Sequence, residues 1–115
     1  MPAHMSATPA PADAAARTAF ARSLPLRTLD VLDALCGFAA SGATNGELAQ
    51  ATRCTPSQVT RCMALLIAKG WARKSEETGR FYPAPAFTRL TFRITADLER
   101  LQTRLDDQRR ALTGL

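Results

Sequence analysis

The chain has 115 residues, room for one core and flanking tails rather than two domains. Apolar residues make up 46% of it and aromatics 6%, which disfavours a β-sandwich and suits a mainly helical protein. Fifteen Lys plus Arg against ten Asp plus Glu leave +5 and a sequence pI near 9.9, pointing to an anionic partner.

Met1 to Ala16 is rich in Ala with little to bury and reads as a tail. The run from Asp13 to Arg22 has helix propensity and a lone Phe20, suited to a short docking helix that Ser23-Leu24-Pro25 breaks. Residues 1–22 are therefore expected to form a flexible tail.

Leu26, Leu29, Leu32, Leu35 or Cys36, and Ala39 mark a first core helix from about Arg27 to Ala40, closed by Ser41-Gly42. Thr44 followed by Glu47 is a capping box that opens a second helix over Asn45 to Thr52, with Leu48 and Ala49 inward. Thr52-Arg53-Cys54 is the link to a third.

The third helix has both ends written in. Thr55 is the N-cap, Pro56 occupies the first helical position, Gln58 completes a capping box and Gly70 is the left-handed stop. Val59, Cys62, Met63, Leu66 and Ile67 recur at helical spacing, while Ser57, Gln58, Thr60, Arg61 and Ala64 fall on the other side. Such a small, polar, arginine-bearing face can reach base edges in a DNA major groove, though any amphipathic surface helix shows similar periodicity. The neighbours favour the reader, because two short helices joined by a tight turn form a helix-turn-helix.

Trp71 to Lys74 and Arg80 to Tyr82 are two strand-like runs around Ser75-Glu76-Glu77-Thr78-Gly79, whose glycine supplies the positive φ of a hairpin. A hairpin placed directly after a helix-turn-helix reads as a wing, with a plain exposed hairpin as the alternative. Glu76 and Glu77 at its tip would be repelled by phosphates, which argues against deep insertion into a groove.

Pro83 and Pro85 end the second strand. From there Phe87, Ile94, Leu98, Leu101, Leu105 and Leu112 follow a heptad seam whose gaps fall at Thr91 and Gln108, flanked by charges of both signs. A helix over residues 86–115, carrying the seam from Phe87 to Leu112, runs to nearly 40 Å along that seam at about 1.5 Å per residue, too long for a body of this size to cover. A dimerisation seam through Ile94, Leu98, Leu101, Leu105 and Leu112 follows. The alternative is a helix folded back on its own domain.

Charge and chemistry narrow the function. Between Arg53 and Arg93 there are eight basic residues and two acidic ones, a net of +6 around the third helix. Thirteen of the fifteen bases are Arg, suited to bidentate phosphate contacts. Cys36, Cys54 and Cys62 lack the paired spacing of a metal or disulfide framework, so no metal site is expected. Cys36 and Cys62 read as small buried hydrophobes. His4 is the only histidine, and neither a glycine-rich phosphate loop nor a carboxylate pair in a plausible pocket occurs, so no enzyme activity and no cofactor are expected. No apolar run approaches the roughly 18 residues of a membrane span and no signal-peptide core is visible, so no membrane partner is expected, and a cytoplasmic protein.

The order of these pieces resembles the winged helix-turn-helix domain at the N-terminus of IclR-type regulators. The matching residues are Glu47-Leu48-Ala49, then Val59, Arg61, Leu66, Gly70 and Trp71, then Thr78-Gly79-Arg80-Phe81. MarR-like and other winged domains share much of this pattern. Pro83 departs from the IclR pattern, and no counterpart of the large domain that binds small-molecule effectors in that family is expected.

The expected fold is thus mainly α with a small β-hairpin: a winged helix-turn-helix over residues 23–85, followed by a long C-terminal dimerisation helix. The expected function is sequence-specific binding of double-stranded DNA by a homodimeric transcriptional regulator, with the third helix (56–69) in the major groove and the wing (71–82) on the backbone. Ser57, Gln58, Thr60 and Arg61 would contact bases, and Thr44, Arg53, Thr55, Arg73, Lys74 and Arg80 the backbone. The alternative is a winged-helix protein-interaction module in a larger assembly, with non-specific nucleic-acid affinity. A docking face of that kind should carry large apolar anchors.

Overall fold

The computed structural model describes residues 23–114. The tail and docking helix expected over residues 1–22 lie outside them. Helix α1 spans Leu24–Cys36, α2 Asn45–Thr52 and α3 Pro56–Lys69. Strands β1 (Ala72–Lys74) and β2 (Phe81–Pro83) pair antiparallel, and α4 runs over Pro85–Thr113. This order of elements is a winged helix-turn-helix followed by a long helix, the fold class expected from the sequence.

Helix α1 starts and stops earlier than its leucine spacing indicates. Ser23 is the N-cap, its hydroxyl accepting from the Leu26 amide at 3.5 Å, and Pro25 sits in the first turn, where its missing N–H costs nothing. Ser23-Leu24-Pro25 therefore begins this helix. At the far end, Gly37 caps the helix and residues 37–41 form a turn, so Ala39 is exposed and outside α1. The core-facing residues are Val31, Leu32 and Leu35, whereas Leu29 is 56% exposed. Successive steps of three through Leu26, Leu29, Leu32 and Leu35 drift around a helix of 3.6 residues per turn, so the four leucines cannot share one face. Cys36, expected inside, is exposed. Partial burial and, after it, the neighbouring Asp33 push its thiol pKa up, which disfavours the reactive thiolate.

Both capping boxes form. The Thr44 hydroxyl accepts from the Glu47 amide while the Glu47 carboxylate accepts from the Thr44 amide; Thr55 and Gln58 do the same at α3. Gly70 stops α3 in the left-handed region at φ 85°. Val31, Leu35, Leu48, Val59, Cys62 and Met63 form the fully buried centre where α1, α2 and α3 meet, closed by Leu66, Ala72 and Phe81. Ile67, expected inward, lies on the flank of α3 and is 41% exposed.

The hairpin joins the helical body through a contact far apart in sequence. Ala43 and Phe81 exchange both backbone hydrogen bonds, at 2.9 and 2.8 Å, so the α1–α2 loop adds a bridge beside β2. Gly42 allows this approach. It sits at φ 79°, and a Cβ there would lie 2.6 Å from the Tyr82 ring. Gly42→Ala is accordingly expected to lower stability by about 1–3 kcal/mol, through both the left-handed conformation and the ring clash. The shift of the urea midpoint at unchanged slope checks this.

Strand β2 ends at Pro83, which pairs with Ala72. Pro85 starts α4 two residues ahead of Phe87. The root of α4 is held by the Ala84 amide donating to the Trp71 carbonyl at 2.8 Å and by Phe87 against Trp71, with ring centroids 5.4 Å apart. Beyond Leu90 the helix leaves the body; none of its residues is buried. It does not fold back.

Candidate nucleic-acid interface

Helix α3 owes its presentation to its own sequence. Val59, Cys62, Met63 and Leu66 bury one side in the body, so the helix turns Ser57, Arg61, Ala64 and Ala68 directly away from it at steps of three and four. All four are exposed. This stripe is small apart from one arginine, so its backbone can approach a partner surface closely while Arg61 reaches further.

The flanking residues are engaged within the protein. Gln58 spends its carbonyl oxygen on the Thr55 amide at 2.9 Å. The Thr60 hydroxyl donates to the Pro56 carbonyl at 3.0 Å and accepts from the Asn45 side-chain amide at 3.1 Å. Asn45 also donates to the Pro56 carbonyl at 3.2 Å, which clips the start of α2 onto the first turn of α3. Thr44 and Thr55 spend their hydroxyls as N-caps, on the Glu47 and Gln58 amides. Of the four residues expected to contact bases, Ser57 and Arg61 are thus presented outward, while Gln58 and Thr60 are held at the helix start.

The basic residues expected along a phosphate backbone separate into different places. Lys74 lies over Phe81, 5.6 Å from the ring centroid, and lines a groove of about 360 Å³ with Thr44, Asn45, Thr60, Ala64 and Ile67. This groove runs between α3 and the hairpin. Arg73 alternates to the other face of the hairpin, its guanidinium 4.5 Å from the centroid of its cross-strand partner Tyr82. Arg80 donates to the Gly42 carbonyl and to Glu47, each at 3.2 Å, and so ties the hairpin to the α1–α2 loop and the start of α2. Arg53 takes a left-handed conformation, φ 58°, at the end of α2 and lies beside Asp30 and Asp33 in a shallow groove against α1.

Glu47 is at the centre of this arrangement. The Thr44 backbone amide is the main cause that holds its carboxyl below the ordinary carboxylate range, aided by the Thr44 hydroxyl and the Arg80 guanidinium.

Asn45 is the residue of this region that sequence reasoning missed. Its clip spans eleven residues to Pro56 and fifteen to Thr60, and an Asn directly after an N-cap threonine was the only local sign. Lys69 lies over Trp71, 5.3 Å from the ring centroid, and flanks the outward stripe at the end of α3. At the wing tip Glu76 and Glu77 are exposed, above a turn closed by the Gly79 amide on the Ser75 carbonyl at 2.8 Å.

No helix among the described residues is long and apolar enough to cross a membrane. No protein-family model matches the chain, and no curated protein does. Among solved structures it is similar to a MarR family transcriptional regulator from Silicibacter pomeroyi DSS, with 21% identity over 89% of this chain and 78% of that one and a TM-score of 0.49.

Proposed function

We propose that the protein is a sequence-specific double-stranded DNA-binding regulator that acts as a homodimer, with α3 in the major groove and the hairpin along the backbone. The observation that carries this reading is the outward stripe Ser57, Arg61, Ala64 and Ala68 on a helix whose start is fixed by a capping box and the Asn45 clip. A rigid helix with one long donor among small side chains suits a groove, and an arginine fork matches the O6 and N7 acceptors of guanine. Lys74 in the adjacent groove and Lys69 at the end of α3 supply positive charge on either side. Ser57 and Arg61 carry the base contacts in this proposal. Gln58 and Thr60 set the pose of α3, as do Thr44 and Thr55 through their caps; Arg53, Arg73 and Lys74 serve the backbone, and Arg80 acts by holding the wing to Glu47.

The test is selection of bound duplexes from a random pool. A two-fold symmetric site is expected from a homodimer. Recovery of no enriched sequence, with no retardation of any duplex at low salt, would remove the proposal.

One observation favours the second reading, a winged-helix protein-interaction module. Leu65 and Ile67 on α3 are 46% and 41% exposed, the large apolar side chains a docking surface uses. They lie on opposite flanks of the outward stripe rather than along it, so they do not form one anchor patch with Arg61.

A further inference from the structure

We propose that α4 pairs with α4 of a second copy in the antiparallel sense, in the register that sets Leu98 against the partner's Leu101. The inference deepens the homodimer reading above and rests on it.

The apolar strip on α4 is uncovered. Ile94, Leu98, Leu101 and Leu105 are 44 to 62% exposed, and Leu112 is 87% exposed. With Phe87 they lie on one side of the helix, at alternating steps of three and four, interrupted at Thr91 and Gln108. A sustained strip of this width needs a partner helix.

Two features choose the occupant and its direction. In the antiparallel register Ile94 meets the partner's Leu105, Phe87 meets the partner's Leu112 and Thr91 meets the partner's Gln108. Every apolar position then meets an apolar one, and the two polar interruptions meet each other. The register is centred between residues 99 and 100, the middle of Pro85–Thr113, so the two helices overlap along their whole length.

Charge complementarity separates this pairing from a parallel one. Flanking positions of the same kind face each other across an antiparallel pair, which puts Asp97 beside the partner's Arg104, twice by symmetry. A parallel pair instead sets Arg104 beside the partner's Arg109, also twice, and like charges there repel. Arg104 and Arg109 make no ion pair among the described residues, whereas Asp97 is 3.3 Å from Arg100 and 79% exposed, open to a second cation.

Sedimentation of the full chain without DNA provides the test. Arg104→Asp, a solvent-facing change that leaves the fold intact, is expected to raise the dimer Kd roughly five- to tenfold, and adding Asp97→Arg to restore it to within about twofold. In mixtures of two chains that each carry Cys36→Ser and Cys54→Ser, one with Ile94→Cys and one with Leu105→Cys, the mixed disulfide should form and the Ile94→Cys chain should not link to itself. Tighter association or no change on Arg104→Asp, self-linkage through Ile94→Cys, or a monomer at high micromolar concentration would each overturn the pairing. None of these outcomes bears on duplex retardation by α3, which is scored separately.

Discussion

Replacing Arg61 with alanine is expected to weaken binding to a selected duplex by roughly 1–3 kcal/mol per half-site and to flatten the preference at the base pair it faces. Arg61 stands one turn after Ser57, one turn before Ala64 and two before Ala68 on the outward stripe, where no bulkier neighbour would keep the helix from a groove floor. Losing its fork leaves the base acceptors unpaired in a poorly solvated contact. Lys74→Ala should behave differently. Removing a lysine from beside the phosphates weakens binding to all sequences alike and lowers the salt slope by about one. Fluorescence anisotropy on the selected duplex and its single-base variants, over a range of salt, separates the two signatures. A uniform loss across sequences for Arg61→Ala would move it from base reader to phosphate contact.

Leu35→Ala is expected to cost about 2–5 kcal/mol, a large share of the roughly 5–15 kcal/mol that holds a domain of this size together. Leu35 is fully buried between α1 and the rest of the body, with Val31 and Leu48 beside it in the core, so truncation leaves a cavity its neighbours fill only in part. Leu29→Ala, two turns earlier in the same leucine series, should change stability by no more than about 0.5 kcal/mol because that side chain is 56% exposed. Urea denaturation of the two variants side by side is the check. Equal losses would mean that α1 is rotated from the orientation described above.

This pair of leucines shows where sequence was a sufficient guide and where it was not. Local signals were reliable. The capping boxes at Thr44 and Thr55, the left-handed stop at Gly70 and the hairpin glycine at Gly79 each depend on residues within three or four positions, and all are present. Facing was less legible, because Leu26, Leu29, Leu32 and Leu35 are compatible with several rotations of α1 until the partners of Val31 are known. Least legible were contacts across the chain. The Ala43–Phe81 bridge, the Asn45 clip and the Arg80–Glu47 pair join residues eleven to thirty-eight apart, and nothing in the local pattern of Arg80 distinguishes a residue that ties the wing down from one that binds phosphate. For the same reason the outward residues of α3 were only half separable by type. Gln58 and Thr60 have the chemistry of base readers, but each has a nearer acceptor or donor to satisfy.

The root of α4 has a mechanical consequence. The helix is 29 residues long, about 43 Å at 1.5 Å per residue, and it joins the body through Phe87 on Trp71 and one backbone hydrogen bond from Ala84. It therefore behaves as a lever on a narrow pivot. A tilt of about 10° at Trp71 displaces the far end by roughly 7 Å, the rise of about two base pairs. In the proposed dimer, packing at this aromatic pair would set how far apart the two bodies stand, and substitution of Trp71 would alter that reach without changing the outward stripe of α3 or the apolar strip of α4.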